Sequence, residues 1–129
     1  MKHWQFMDFL LNANRNAIKD WYDGLSVQAR ADFDTLISQL ETQRLWQMPD
    51  YRVLTGNKKL KGLGEIRFTT ENTQHRVIGY FGPEAAQFSL LLGCTHKQRV
   101  YSPASALDTA AKRKRLIESG KGNISKHEI

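Results

Sequence analysis

The amino-acid sequence predicts an α+β fold in which two N-terminal helices pack on an antiparallel β-meander of three to five strands and a C-terminal helix follows. Three observations predict it. Apolar residues recur at helical spacing over 14–43, three β-rich runs parted by short turn signals fill 64–93, and an alanine-rich amphipathic segment runs over 103–118. The 129 residues suit one domain, read as 1–119, with a flexible C-terminal tail at 120–129.

The segment 2–11 mixes aromatic and aliphatic residues without helical spacing, and its first part reads as a strand, edge or central. From Asn14 the pattern turns helical: Ala17, Ile18, Trp21 and Tyr22 share a face, and Gly24 stops the helix. Ser26 has the side chain of an N-cap, with Leu25 before it as a possible staple. Ala29, Phe33, Leu36, Ile37 and Leu40 then form the apolar stripe of a second helix reaching about Gln43. Residues 44–63 hold Pro49, Gly56 and Gly62 around Lys58, Lys59 and Lys61, a connector with a basic tip whose strand content lies at 51–55.

The β-rich runs are 64–70, 74–81 and 86–93, and their short separators imply hairpins. In the first, Ile66 and Phe68 share one face while Glu65, Arg67 and Thr69 share the other. In the second, Arg76 lies on the Tyr80 side; whether that is also the Arg67 side depends on strand register. The stretch from Cys94 to Tyr101 reads as a loop, Ser102 as the cap of the last helix and Pro103 as its first turn. That helix carries an apolar face and the basic cluster Lys112, Arg113, Lys114 and Arg115, which reads as an exposed helical surface.

Charge is unevenly spread. Residues 1–50 have a balance of −2 and residues 51–129 a balance of +8, so the second half favours a polyanionic partner. The longest apolar stretch, 88–92, excludes a membrane-spanning helix, and the first residues show no secretory pattern, so a cytoplasmic protein is expected. Cys94 is the only cysteine, which excludes an intrachain disulfide; on a buried strand it reads as a small core residue. No motif for phosphate cradling, zinc binding or a serine nucleophile is present, and no metal or cofactor is implied.

What remains is a set of cations with one histidine and one tyrosine: Lys58, Lys59, Lys61, Arg67, Arg76, His96, Lys97, Arg99 and Tyr101. Such residues suit RNA cleavage without a metal. When a 2′-hydroxyl attacks the adjacent phosphorus, fixed guanidinium or ammonium groups stabilise the charge that builds on the phosphate oxygens. His96 is the natural proton carrier near neutral pH, and Tyr101 can serve if neighbouring cations lower its hold on its proton. The alternative is structural: solvated loop lysines, Arg67 and Arg76 paired with Glu65 or Glu71, and Tyr101 packed at a helix entry. His3, His75 and His127 read as surface or turn residues.

The run Leu54-x-Gly56, a basic loop, Leu63-Gly64-Glu65-Ile66-Arg67, His75-Arg76-Val77-Ile78-Gly79-Tyr80-Phe81 and Leu90-Leu91-Leu92-Gly93, followed by Lys97, Pro103 and a basic Ala-rich helix, resembles the phage-derived, HigB-like branch of the RelE/ParE toxin superfamily. The likeness covers about 14–118. It implies a RelE-like fold and the toxin of a type II toxin-antitoxin system: a ribosome-dependent mRNA endoribonuclease, or mRNA interferase, that inhibits growth and is neutralised by a cognate antitoxin of helix-turn-helix type. It also implies roles. Arg67 matches the strand arginine that stabilises the phosphate, Arg76 the arginine of the next strand, Lys58, Lys59 and Lys61 the RNA-contacting loop, and Arg99 and Tyr101 the pair after the last strand. Branch members usually carry two adjacent lysines where this chain has His96 and Lys97, so His96 is either a proton-transfer group or a cationic substitute. Because the superfamily includes ParE-like gyrase inhibitors that are not nucleases, a gyrase poison and an inactive antitoxin-binding relative are the rival expectations.

Overall fold

The computed structural model describes residues 1–128. In chain order its elements are β1 (Gln5–Asn12), β2 (Arg15–Asn16), α1 (Ala17–Asp23), α2 (Val27–Glu41), β3 (Tyr51–Val53), a 3₁₀ turn (Lys58–Leu60), β4 (Gly64–Thr70), β5 (Thr73–Phe81), β6 (Gln87–Lys97), β7 (Val100–Ser102), α3 (Ala106–Glu118) and β8 (Asn123–Lys126). The α+β class is as expected: the described residues form three α-helices and an eight-stranded, mixed and mostly antiparallel sheet ordered β2-β1-β6-β5-β4-β3, with β7 paired to β6 and β8 to β1 off that path. Among the described residues no helix is long and apolar enough to cross a membrane.

Local chemistry sets the helix boundaries. The Asn16 side chain accepts from the Ile18 and Lys19 amides at 2.9 Å, and Ser26 Oγ accepts from the Ala29 amide at 3.1 Å, so two otherwise orphaned N-termini are capped. Every member of the expected α2 stripe is buried. Helices α1 and α2 cover one face of the sheet, burying Phe6, Phe33, Ile66, Val77, Phe88 and Leu90. Helix α3 covers part of the other, over Leu60, Leu63, Ile78, Leu91 and Cys94.

Four expectations are corrected. The strand expected at the start of the chain is present, but the sheet is not all antiparallel and has more than the expected three to five strands: β1 lies inside it and runs parallel to β6 through Gln5↔Gln87 to Asp8↔Leu90. Its centre, Phe6 to Phe9, is buried on both faces, which erases the period-two signal of a half-exposed strand. The third β-rich run does not end at Gly93 but continues to Lys97, and the supposed loop is a tight hairpin whose Gln98 and Arg99 have φ of 50° and 69°. Gly93 is a packing glycine: a Cβ there would lie 2.2 Å from the Trp21 ring. Ser102 is the last residue of β7, paired with Thr95, and α3 starts only at Ala106.

The fourth correction concerns the tail. Residues 123–126 form β8, antiparallel to β1 from Asn123↔Leu10 to Lys126↔Met7. Main-chain pairing needs no apolar periodicity, which is why this short strand left no trace in composition. Beyond it His127 is not a surface residue. Its Nδ1 lies 2.8 Å from Asp8 Oδ1, while Asn16 Nδ2 donates to Asp8 Oδ2 at 2.9 Å, and the Asp8 side chain is 1% exposed. His127→Ala should therefore cost about 1–3 kcal/mol, since it strips one partner from a buried carboxylate. A urea titration followed by circular dichroism reads the shift.

Candidate active site

Strand register answers the question of which face the arginines share. Arg67 pairs with Arg76 and Arg76 with Cys94, while Gln74 pairs with His96 and His96 with Tyr101. Residues opposite one another in an antiparallel ladder share a face. Arg67, Arg76, His96 and Tyr101 therefore project from the same side of the sheet, the side that α3 covers only in part.

At the centre of this group is a residue absent from the candidate set. Glu65, 1% exposed, accepts a hydrogen bond from the Tyr101 hydroxyl at 2.6 Å, and its other oxygen lies 3.0 Å from Arg52 Nη2, 3.8 Å from Arg67 Nε and 3.9 Å from Arg76 Nε. One carboxylate thus sits among three guanidinium groups. The surroundings stay net cationic, with Glu65 holding the side chains in place at close range. Part of the structural alternative is accordingly correct, because Arg67 and Arg76 do approach Glu65.

The members differ in access to solvent. Arg76 is buried; it donates to the His75 carbonyl and to Gln74 Oε1, each at 2.9 Å. Arg67 is partly exposed and donates from Nη1 to Met48 Sδ at 2.7 Å. Both line an open cleft of about 530 Å³ with Thr69, Gln74 and Asp50. The cleft wraps the edge of β4, where the last bond from the β3 side runs from the Arg67 amide to the Asp50 carbonyl.

Proton affinities in the cluster separate two roles. Burial and the hydrogen bond to Glu65 push the Tyr101 phenol well above its ordinary value, so neighbouring cations do not loosen its proton as expected. Burial and the adjacent Arg76 push the His96 imidazole below its ordinary value, which favours the neutral form. Its ring packs edge-on against Tyr101 at 4.7 Å, and its Nδ1 is buried without a partner. Cys94, beneath the cluster, is a core residue whose thiol burial raises to about 12, too high for a nucleophile at neutral pH.

The remaining candidates lie elsewhere. Arg99 is at the exposed tip of the β6–β7 hairpin with Lys97 beside it, and neither has an ion pair or side-chain hydrogen bond among the described residues. Lys58, Lys59 and Lys61 occupy the far end of the β3–β4 hairpin against α3. His75 is not a surface residue: it is buried on the opposite face, stacked on Phe68 at 4.8 Å. Sequence reasoning named Glu65 only as a structural partner of the arginines, and it missed Arg52. The signal for Glu65 was present, since strand alternation put a carboxylate on the Arg67 face; Arg52 gave none, because its strand has only three residues.

Compared with protein-family models, with curated proteins and with solved structures, the chain matches none.

Proposed function

We propose that this chain is a RelE/HigB-like toxin, a cytoplasmic mRNA endoribonuclease that acts on translating ribosomes without needing a metal and is restrained by a helix-turn-helix antitoxin. The observation that carries the reading is the convergence of Arg52, Arg67, Arg76 and Tyr101 on Glu65, with His96 packed against Tyr101 and with Arg67 and Arg76 lining an open cleft. The Glu-x-Arg and Arg-Val-x-x-Tyr motifs and the +8 balance of residues 51–129 support it.

In this reading the scissile phosphate lies in the cleft against Arg67, the more accessible guanidinium of the pair facing it. Neutral His96 takes the proton of the 2′-hydroxyl as the 2′-oxygen bonds to phosphorus. The bond from phosphorus to the 5′-oxygen breaks, that oxygen takes a proton from water in the open cleft, and the hydroxide left behind recovers the proton from His96, which is neutral again. The products are a 2′,3′-cyclic phosphate and a 5′-hydroxyl. Arg67 and Arg76 offset the charge gained by the phosphate oxygens, and Tyr101 keeps its proton and fixes the Glu65 carboxylate that spaces the arginines. Arg99, Lys97, Lys58, Lys59 and Lys61 hold flanking RNA, and the antitoxin covers the cationic face.

Purified protein added to ribosomes translating a defined message should cut it and leave cyclic phosphate ends. Arg67→Ala should lower the rate about 10²-fold, the scale of losing one fixed donor to a developing oxyanion. Tyr101→Phe should cost about tenfold, or about 1.4 kcal/mol. Absence of cleavage by the unaltered protein overturns the function. Full activity in both variants, with far-ultraviolet circular dichroism unchanged, overturns the site.

A further inference from the structure

Two basic segments that each resemble solvated charge on their own meet in space. The 3₁₀ turn carrying Lys58 and Lys59, together with Lys61, lies against the helix carrying Lys114 and Arg115, and these five cations line a groove of about 390 Å³. The packing beneath is apolar: Leu60 and Leu63 are buried with Ala110 and Ala111 of α3. Gly62, with φ of +83°, lets the Lys114 side chain lie along the turn, since a Cβ there would come within 3.1 Å of Lys114 Cε. Lys114 Nζ rests 5.3 Å from the Tyr80 ring centre and 3.2 Å from Glu118, and Lys59 is paired with Asp108. Lys58, Lys61 and Arg115 are exposed and have no counter-ion among the described residues. Cations gathered at one groove repel one another, and an anionic chain relieves that repulsion while releasing its counterions.

The groove is in line with the candidate active site. Along the β3–β4 hairpin the ladder runs from Arg67 and Asp50 through Glu65↔Arg52 and Gly64↔Val53 to the Leu54 amide on the Leu63 carbonyl, and the lysine turn follows at once. Six residues of extended chain from Arg67 to Lys61 span at most about 20 Å, a reach of a few nucleotides. Helix α3 packs on the same sheet face as Cys94 and Ile78, the face of Glu65 and Arg76.

We propose that the groove between the 3₁₀ turn and α3 is a backbone-binding subsite for single-stranded RNA, in which Lys61 and Arg115 bind phosphates a few nucleotides from the one held at Arg67. The proposal deepens the RNA reading above and rests on it. What it adds to the RNA-holding lysine turn is α3, whose Arg115 shares the groove with Lys61.

The test uses uncleavable 2′-O-methyl oligouridylates of 12 and 3 nucleotides, fluorescently labelled, with the full chain and with the Lys61→Gln/Arg115→Gln variant. Both side chains are exposed and unpaired, so the thermal midpoint should stay constant. Binding of the 12-mer should weaken about tenfold at moderate salt, and the slope of log K against log salt should become shallower by about 1.4, or about 0.7 for each phosphate no longer neutralised. The 3-mer should bind both proteins alike. Unchanged 12-mer affinity and slope in the variant, while the unaltered protein still cleaves mRNA, overturns the groove alone. Equal weakening of the 3-mer and 12-mer also overturns it. Absent cleavage with the length-dependent loss preserved overturns the nuclease and leaves the groove standing.

Discussion

His96→Ala should lower the mRNA cleavage rate by about 10²–10⁴-fold, the range for removing a positioned proton-transfer group, while the protein stays folded. The expectation rests on the position of His96 opposite Tyr101 in the β6–β7 ladder and on a Nδ1 buried without a partner. A base must be unprotonated to act. Burial and Arg76 lower the proton affinity of His96, so the acid limb of kcat/KM against pH belongs below the ordinary histidine value of about 6.5. Activity should fall as acidification carries the imidazole through that lowered value. His96→Lys decides between proton carrier and cationic substitute. A lysine keeps a positive charge but remains protonated at neutral pH, so full activity in that variant makes His96 a mere cation, whereas loss equal to that of His96→Ala makes it the base.

Legibility in the sequence followed the source of each element's stability. Helix α2 was readable to its cap because one face is buried and the other exposed, so Ala29, Phe33, Leu36, Ile37 and Leu40 stand out at helical spacing. Strand β4 was readable at period two because apolar Ile66 and Phe68 alternate with polar Glu65, Arg67 and Thr69, although Glu65 is itself buried. Strands β1 and β8 obey other terms. The first is buried on both faces, and the second has only Ile124 to bury and is held by main-chain bonds and by Asp8 and His127 next to it. Gly93 misled because a glycine that admits an indole ring looks like one that ends a strand. At the site, Arg67, Arg76, His96 and Tyr101 were found through their chemistry, but their common face was not, because register is a relation between strands. Register likewise hid that Glu65 gathers the arginines of three strands about itself. A search for catalytic cations passes over the carboxylate that assembles them.

Glu65→Gln should lower the free energy of unfolding by about 3–5 kcal/mol, the cost of removing one member of a buried ionic group and leaving the other charged. Against a total of about 5–15 kcal/mol that is a large fraction. The amide still accepts from the Tyr101 hydroxyl, yet Arg76, 3% exposed, loses its counter-charge and stays a cation in the interior. Arg52 and Arg67 reach solvent and suffer less. Because the loss comes from an uncompensated charge and not from lost volume, removing the partners together should recover it: Glu65→Leu with Arg76→Met and Tyr101→Phe should unfold at a urea concentration nearer that of the unaltered protein than of the single variant. That triple variant should still fail to cleave mRNA, since it folds without the array that spaces Arg67 over the cleft. A single variant as stable as the unaltered protein removes Glu65 from the centre of the site, and a triple variant with full activity removes the arginine array from the mechanism.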